Sequence, residues 1–258
     1  MSELKYIAFE DEAESIKEEV TDYWTQRAES FLEKRKHELE CYRAGQWRDQ
    51  ILNELKKVTS AQGKDLKILD IGCGTGYFEA LLGKEGFDIT GIDLTPEMIE
   101  RANELIEEYG PFEGDVKAVC MDAENLSFED ESFDAIITRN LTWTLPHPVE
   151  AYGEWFRVLK KGGVLVNFDA EYAKSAHSLG THENCAHAGI SDELNEKCHK
   201  IYHMLTISSL DRPTWDVEVL KEVGFKTVFT DRTFGDKLFL EKDEFYSPDH
   251  IFMITATK

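Results

Sequence analysis

Apolar and polar positions alternate in two regimes along this chain. From about residue 11 to 60 they recur at helical spacing, with Ile16, Val20, Tyr23/Trp24, Arg27/Ala28 and Phe31 on one face. A second helical stretch carries Leu39, Tyr42, Ile51, Leu52, Leu55 and Val58, with Gly45 as its weak point. Ser60-Ala61-Gln62-Gly63-Lys64-Asp65 has the composition of a linker. Beyond it, short apolar runs and helical periods take turns. Strands are expected at 66–71, 87–92, 116–120, 133–138, 164–168, 225–230 and 251–256. Between them fall helices at 75–83, 96–109, 148–159 and 215–223. Thr95-Pro96-Glu97 is a helix start, with Thr as N-cap and Pro at the first helical position. Lys160-Lys161-Gly162-Gly163 is expected to stop the helix before it, and Gly224 to close the last one. This alternation predicts an α/β fold, a mostly parallel sheet with helices on both faces. Residues 1–62 form a helical extension or lid. Residues 63–258 form a cofactor-binding domain with an insertion at 170–213.

Composition narrows the partners. The 258 residues carry 51 acidic against 29 basic side chains, for a formal net charge of −22. Such a surface repels phosphate backbones and anionic lipid, so no nucleic acid and no membrane partner is expected. No apolar run approaches the roughly 18 residues of a membrane span. The start, Met1-Ser2-Glu3-Leu4-Lys5, lacks the pattern of a secretion signal, and five cysteines without regular spacing suit a reducing cytoplasm.

The chemistry starts at Asp70-Ile71-Gly72-Cys73-Gly74-Thr75-Gly76, between the first strand and the first helix of the sheet. Glycines there let the backbone turn tightly and approach a ligand at the carboxyl edge of the sheet. Asp93 ends the second strand, placed to accept hydrogen bonds from ribose hydroxyls. A nicotinamide-dependent oxidoreductase also uses such a loop, but its third glycine falls one residue later. Asp70 would repel a pyrophosphate and suits a cationic ligand carrying an ammonium group.

These residues resemble the class I S-adenosylmethionine-dependent methyltransferases, from about residue 20 to the end. The similarity is greatest to the small-molecule branch related to quinone-biosynthesis methyltransferases. Further matching stretches are Gly91-Ile92-Asp93-Leu94-Thr95 with Met98, Met121-Asp122-Ala123-Glu124, Phe133-Asp134-Ala135-Ile136 and Arg157-Val158-Leu159-Lys160-Lys161-Gly162-Gly163. The resemblance implies a Rossmann-like three-layer sandwich, seven strands with an antiparallel last one. It implies S-adenosylmethionine as cofactor and a small-molecule acceptor. The loop with Gly72, Cys73, Gly74 and Gly76 would hold the methionine part, and Asp93 the ribose. Asp122 and Ala123 would flank the adenine, with Leu94, Met98 and Glu124 in the same motifs. Asn140 would lie near the sulfonium, under a cover formed by Tyr23 and Arg27.

The acceptor is expected beyond the fourth and fifth strands, near Arg139, Asn140, Trp143 and His147. Trp143 can stack on a flat or cationic acceptor or pack in the core. His147 can accept a proton or cap the helix before Pro148. Phe9, Trp24, Phe31, Trp47 and Tyr172 are further candidates, with core packing the default for Phe31 and Trp47. The insertion holds His177, His182, Cys185, His187, Cys198, His199 and His203. Ser191 can cap a helix on which His199 and His203 share a face, and with Cys185 they could ligate a metal ion. The plainer reading is a His-rich substrate lid. A metal-binding, cofactor-sensing protein without catalysis is the non-enzymatic alternative.

Overall fold

A computed structural model describes residues 12–59, 63–172, 190–247 and 249–258. Seven strands form one sheet: β1 (Lys67–Ile71), β2 (Asp88–Asp93), β3 (Val116–Cys120), β4 (Phe133–Arg139), β5 (Leu159–Asp169), β6 (Thr227–Asp231) and β7 (Phe252–Thr257). Their order is β3-β2-β1-β4-β5-β7-β6. The first five run parallel, and β7 pairs antiparallel with both β5 and β6. The order reverses beside β1, so the crevice at the carboxyl ends of β1 and β4 is where such sheets bind ligands. The expected fold class is the observed one.

Eight α-helices among the described residues surround the sheet: α1 (Ala13–Glu40), α2 (Tyr42–Val58), α3 (Tyr77–Leu82), α4 (Pro96–Tyr109), α5 (Pro148–Val158), α6 (Asp192–Met204), α7 (Thr214–Val223) and α8 (Phe234–Leu238). The central strands are apolar on both faces, as a covered parallel sheet requires. Leu69, Ile136 and Leu165 face α5 and α7 around Trp155 and Tyr152. Ile68, Ile137, Val166 and Phe168 face α2, α3 and α8 around Trp47. The N-terminal extension therefore divides. α2 is a layer helix with Trp47, Ile51 and Leu55 in the core, and α1 crosses the carboxyl edge of the sheet.

Several local expectations change. The two N-terminal helices separate at Cys41, whose backbone is extended, and Gly45 lies inside α2. Thr95 occupies the N-cap of α4 without a side-chain cap bond; its backbone N–H donates to Asp93 Oδ1 at 2.9 Å, and its hydroxyl is engaged by Asp93 as well. Lys160-Lys161-Gly162-Gly163 is no loop. α5 passes directly into β5 at Leu159, and Gly162 N–H donates to the Lys258 carbonyl. Ser191 does cap α6, its Oγ accepting from Leu194 N–H at 3.2 Å. The short α8 has no periodicity of its own to announce it. Among the described residues, no helix is long and apolar enough to cross a membrane.

Candidate active site

One cavity of about 200 Å3 opens at the carboxyl edge of the sheet. Its floor comes from the ends of β1 to β4, its cover from α1, and its far wall from α6 and the segment before β7. Expected residues that line it include Tyr23, Arg27, Asp70, Gly72, Cys73, Gly74, Asp93, Leu94, Met98, Asp122, Ala123, Arg139, Asn140 and Trp143.

The glycine loop reverses the chain because Gly72 N–H and Cys73 N–H both donate to the Ile92 carbonyl, at 2.8 and 2.9 Å. Gly74 then turns into the left-handed region at φ +54°, and its N–H meets Asp93 Oδ2 at 3.0 Å. Asp93 thus accepts a backbone N–H on each carboxylate oxygen, which fixes its carboxylate at the edge of the cavity. Gly76 does something else. A Cβ there would lie 3.1 Å from the Cα and carbonyl oxygen of Ala102, so this glycine lets α4 approach the loop and does not line the cavity.

Asp70 is buried beside Glu79 and near Asp93. Burial pushes its carboxyl up to about 8, with the Asp93 charge adding to the rise, and Glu79 is raised as well. Like charges this close retain a proton between them. Asp93 is raised by burial, against the backbone N–H groups of Thr95, Gly74 and Leu94 and the Thr95 hydroxyl, which lower it.

At the end of β3, Asp122 Oδ2 and Glu124 Oε2 both accept from Lys17 Nζ of α1 at 2.7 Å. Asp122 faces the cavity. Glu124 does not: His147 also donates its backbone N–H to Glu124 Oε1 at 2.6 Å, and the His147 ring Nδ1 lies 3.0 Å from Oε2. Glu124 and His147 therefore anchor the turn behind the wall and leave the lining, and the His147 side chain makes no cap bond to α5. Ala123 is pinned by its carbonyl, which accepts from Trp155 Nε1 at 2.9 Å.

Asn140, just after β4, holds φ +59°, a conformation that Asn tolerates better than most side chains. Its Oδ1 accepts from the Tyr172 hydroxyl at 2.5 Å. Strain of this kind gathers at ligand sites. Trp143 reconciles its two readings, packing 4.9 Å from Tyr202 and 5.4 Å from Tyr172 between ring centroids while lining the cavity. Its N–H donates to Asp169 Oδ2, which Arg212 holds through Nη1 at 2.9 Å.

The wall from α1 holds residues that the sequence pattern does not single out. Lys17, Lys34 and Arg35 line the cavity, as do Tyr77 of α3 and Phe239, Phe245 and Ser247 ahead of β7. Trp24, Phe31 and Tyr172 line it as expected, whereas Trp47 is core and Phe31 is not. Buried Glu38 accepts from Arg35 Nη1, from Arg139 Nη2 at 2.9 Å and Nη1 at 3.1 Å, and from Trp47 Nε1 at 3.1 Å. Burial opposes its charge, and the Arg139 and Arg35 guanidiniums prevail, holding it at about 2.

Of the expected metal ligands, Cys185 lies outside the described residues, as do His177, His182 and His187. His203 is exposed, and His199 packs its ring edge-on to Tyr202. Among the described residues no group of three His, Cys, Asp or Glu side chains could hold a metal ion. Cys198 instead lines the cavity, its thiol raised by burial and therefore not a reactive thiolate.

Residues 69–167 match the methyltransferase domain family. The match covers less than half of the chain, and within it the glycine loop, Asp93, Asp122 and Asn140 are similar to those of a methyltransferase domain. A phosphatidylethanolamine N-methyltransferase of Cereibacter sphaeroides is 35% identical over 133 residues, 46% of this chain and 64% of that protein. A 2-methyl-6-phytyl-1,4-hydroquinone methyltransferase of Synechocystis is 38% identical over 103 residues, 40% of this chain and 31% of that protein. These matches span less than two thirds of either relative. The solved phosphoethanolamine N-methyltransferase 2 of Haemonchus contortus, in complex with S-adenosyl-L-methionine, superposes with a TM-score of 0.58 over 81% of this chain and 52% of that one. At 18% identity it shares the fold.

Proposed function

We propose that this protein transfers the methyl group of S-adenosylmethionine to a small molecule enclosed beneath α1. The observation that carries this reading is a single cavity that gathers the glycine loop, Asp93, Asp122 and Asn140 from four strand ends under one helix. The curated relatives support a small acceptor, since their names state a phospholipid amine and a hydroquinone.

The residues present fit the cofactor. Asp93 lines the cavity as a carboxylate fixed by backbone donors, an acceptor for the ribose hydroxyls. Asp70, buried with a shared proton, gains a counterion when an ammonium group arrives. Gly72, Cys73 and Gly74 hold the methionine part, and Leu94, Met98, Asp122 and Ala123 surround the adenine. Tyr23 and Arg27 cover the ligand, Arg27 Nη1 bonding the Tyr23 hydroxyl at 3.2 Å. The cofactor supplies a methyl group activated on a sulfonium. The chain supplies orientation, which converts a two-body encounter into an in-line approach, and a dry enclosure in which a dispersing positive charge is favoured. Asn140 and Trp143 sit where acceptor and methyl would meet. The cover in this reading is α1, while α2 packs in the core beneath the sheet.

Calorimetry with S-adenosylmethionine tests it. Wild type binds in the micromolar range, and Asp93→Ala weakens binding by about 1–3 kcal/mol, the cost of lost charge-assisted hydrogen bonds. Absence of binding to wild type would sink the reading.

A further inference from the structure

The wall that α1 and β4 give the cavity carries positive charge to which the cofactor contacts proposed above give no part. The acidic groups in the lining, Asp70, Asp93 and Asp122, all stand at the ends of β1 to β3. Lys34 and Arg35 of α1 line the cavity too, with Arg27 a little further along α1, and Arg139 at the end of β4 stands beside β1, near enough for its charge to lower Asp70. Arg35 and Arg139 share one carboxylate, Glu38, which sits behind them and is wholly buried. Two guanidiniums against one carboxylate leave this cluster positive, in a chain whose net charge is −22. The Lys34 ammonium adds to it. Burial, then the charges of Arg35 and Arg27, lower Lys34 to about 8, the response of a cation in a positive field.

The same cluster holds donors with nothing to donate to. The Tyr77 hydroxyl is buried and finds no hydrogen-bond partner among the described residues, nor does Arg139 Nε. The guanidinium carbons of Arg139 and Arg35 lie 5.3 and 5.8 Å from the centre of the Tyr77 ring, so the three groups converge on one place. Such orphaned donors are costly unless something accepts from them. Phe31, whose ring centre is 4.3 Å from the Arg35 guanidinium carbon, gives the spot an apolar flank.

We propose that the methyl acceptor carries an oxyanion, a carboxylate or a phosphate, bound by Arg35, Arg139 and the Tyr77 hydroxyl beside Lys34. This rests on the methyltransferase reading for the word acceptor only. An oxyanion takes the free donors, and planar guanidiniums suit its geometry. The apolar flank then holds the body of the molecule, and the group to be methylated points toward Asn140.

The test is calorimetry of the full chain with inorganic phosphate and with acetate, at constant ionic strength in chloride, with and without saturating S-adenosylhomocysteine. Wild type is expected to bind one of them saturably with the homocysteine product in place. Arg35→Gln weakens that binding about tenfold, the value of a charge-assisted contact. Tyr77→Phe, which keeps the ring and its packing, weakens it about threefold and covers the case in which Arg35→Gln fails to fold. Preference for phosphate or acetate identifies the anion class. The proposal is overturned if neither anion binds to the loaded wild type, or if both variants bind as wild type does. It is also overturned if Arg35→Gln weakens S-adenosylhomocysteine about tenfold, since the cluster then serves the cofactor's own carboxylate. Wild type that binds phosphate but not S-adenosylhomocysteine refutes methyl transfer and leaves the anion site standing.

Discussion

The floor and the cover of the cavity are built by opposite rules. The floor is acidic and largely local: Asp70, Asp93 and Asp122 stand at or just past strand ends, Asp93 accepts from the backbone of Gly74 and Thr95, and Asp122 Oδ1 accepts from Glu124 N–H. The cover is basic and long-range. Arg139 reaches Glu38 across 101 positions, and Lys17 reaches Asp122 across 105. A floor of this kind is made once by the fold, whereas the cover depends on how one helix is docked. Breaking the two therefore has different consequences.

The largest effect is expected in the cover. Glu38→Ala leaves Arg35 and Arg139 buried without their shared carboxylate and costs about 3–5 kcal/mol of stability, read by denaturant unfolding. If the loss were under 1 kcal/mol, α1 would not be held by this cluster. In the floor, Gly76→Ala forces a Cβ against the backbone of Ala102 at a left-handed φ of +84°. It is expected to lose about 1–3 kcal/mol without altering the cavity lining. Asp70 sharpens the comparison through pH. Between its ordinary 3.8 and about 8 the folded chain keeps a proton that the unfolded chain has released, so stability falls as pH rises through that window. Asp70→Asn flattens the decline between pH 5 and 8, by on the order of 1–2 kcal/mol, in melting scans without ligand. The smallest effect belongs to Lys17→Ala. Its half-buried pairs with Asp122 and Glu124 contribute about 1 kcal/mol or less, decreasing with added salt.

The same contrast decides how much of the molecule is legible in its sequence. The glycine loop, Asp93 and the alternation of strands and helices are legible because turn geometry and periodicity are local. Thr95 has the propensity of a side-chain cap, yet its hydroxyl is engaged by Asp93, two residues earlier, a competition that propensity does not weigh. Glu124 and His147 have the motif and position of site residues. Only the three-dimensional path shows them bonded to one another behind the wall. Arg35, Tyr77 and Glu38 leave no pattern, since charged groups on an amphipathic helix normally face water. Their one signal is a Trp and several charges on a face otherwise apolar.

The stripe on α1 has a last consequence. The residues of α1 that line the cavity are 17, 20, 23, 24, 27, 31, 34 and 35, the spacing of a single helical face. From Lys17 to Arg35 that face runs about 27 Å, at 1.5 Å per residue. On the proposed reading the helix is a ruler, with the adenine end of the cofactor at Lys17 and the oxyanion at Arg35. One residue inserted in its middle would rotate everything beyond it by about 100° and move it along by one step. Substitutions can retune either end singly, but a change of length misaligns both ligands at once.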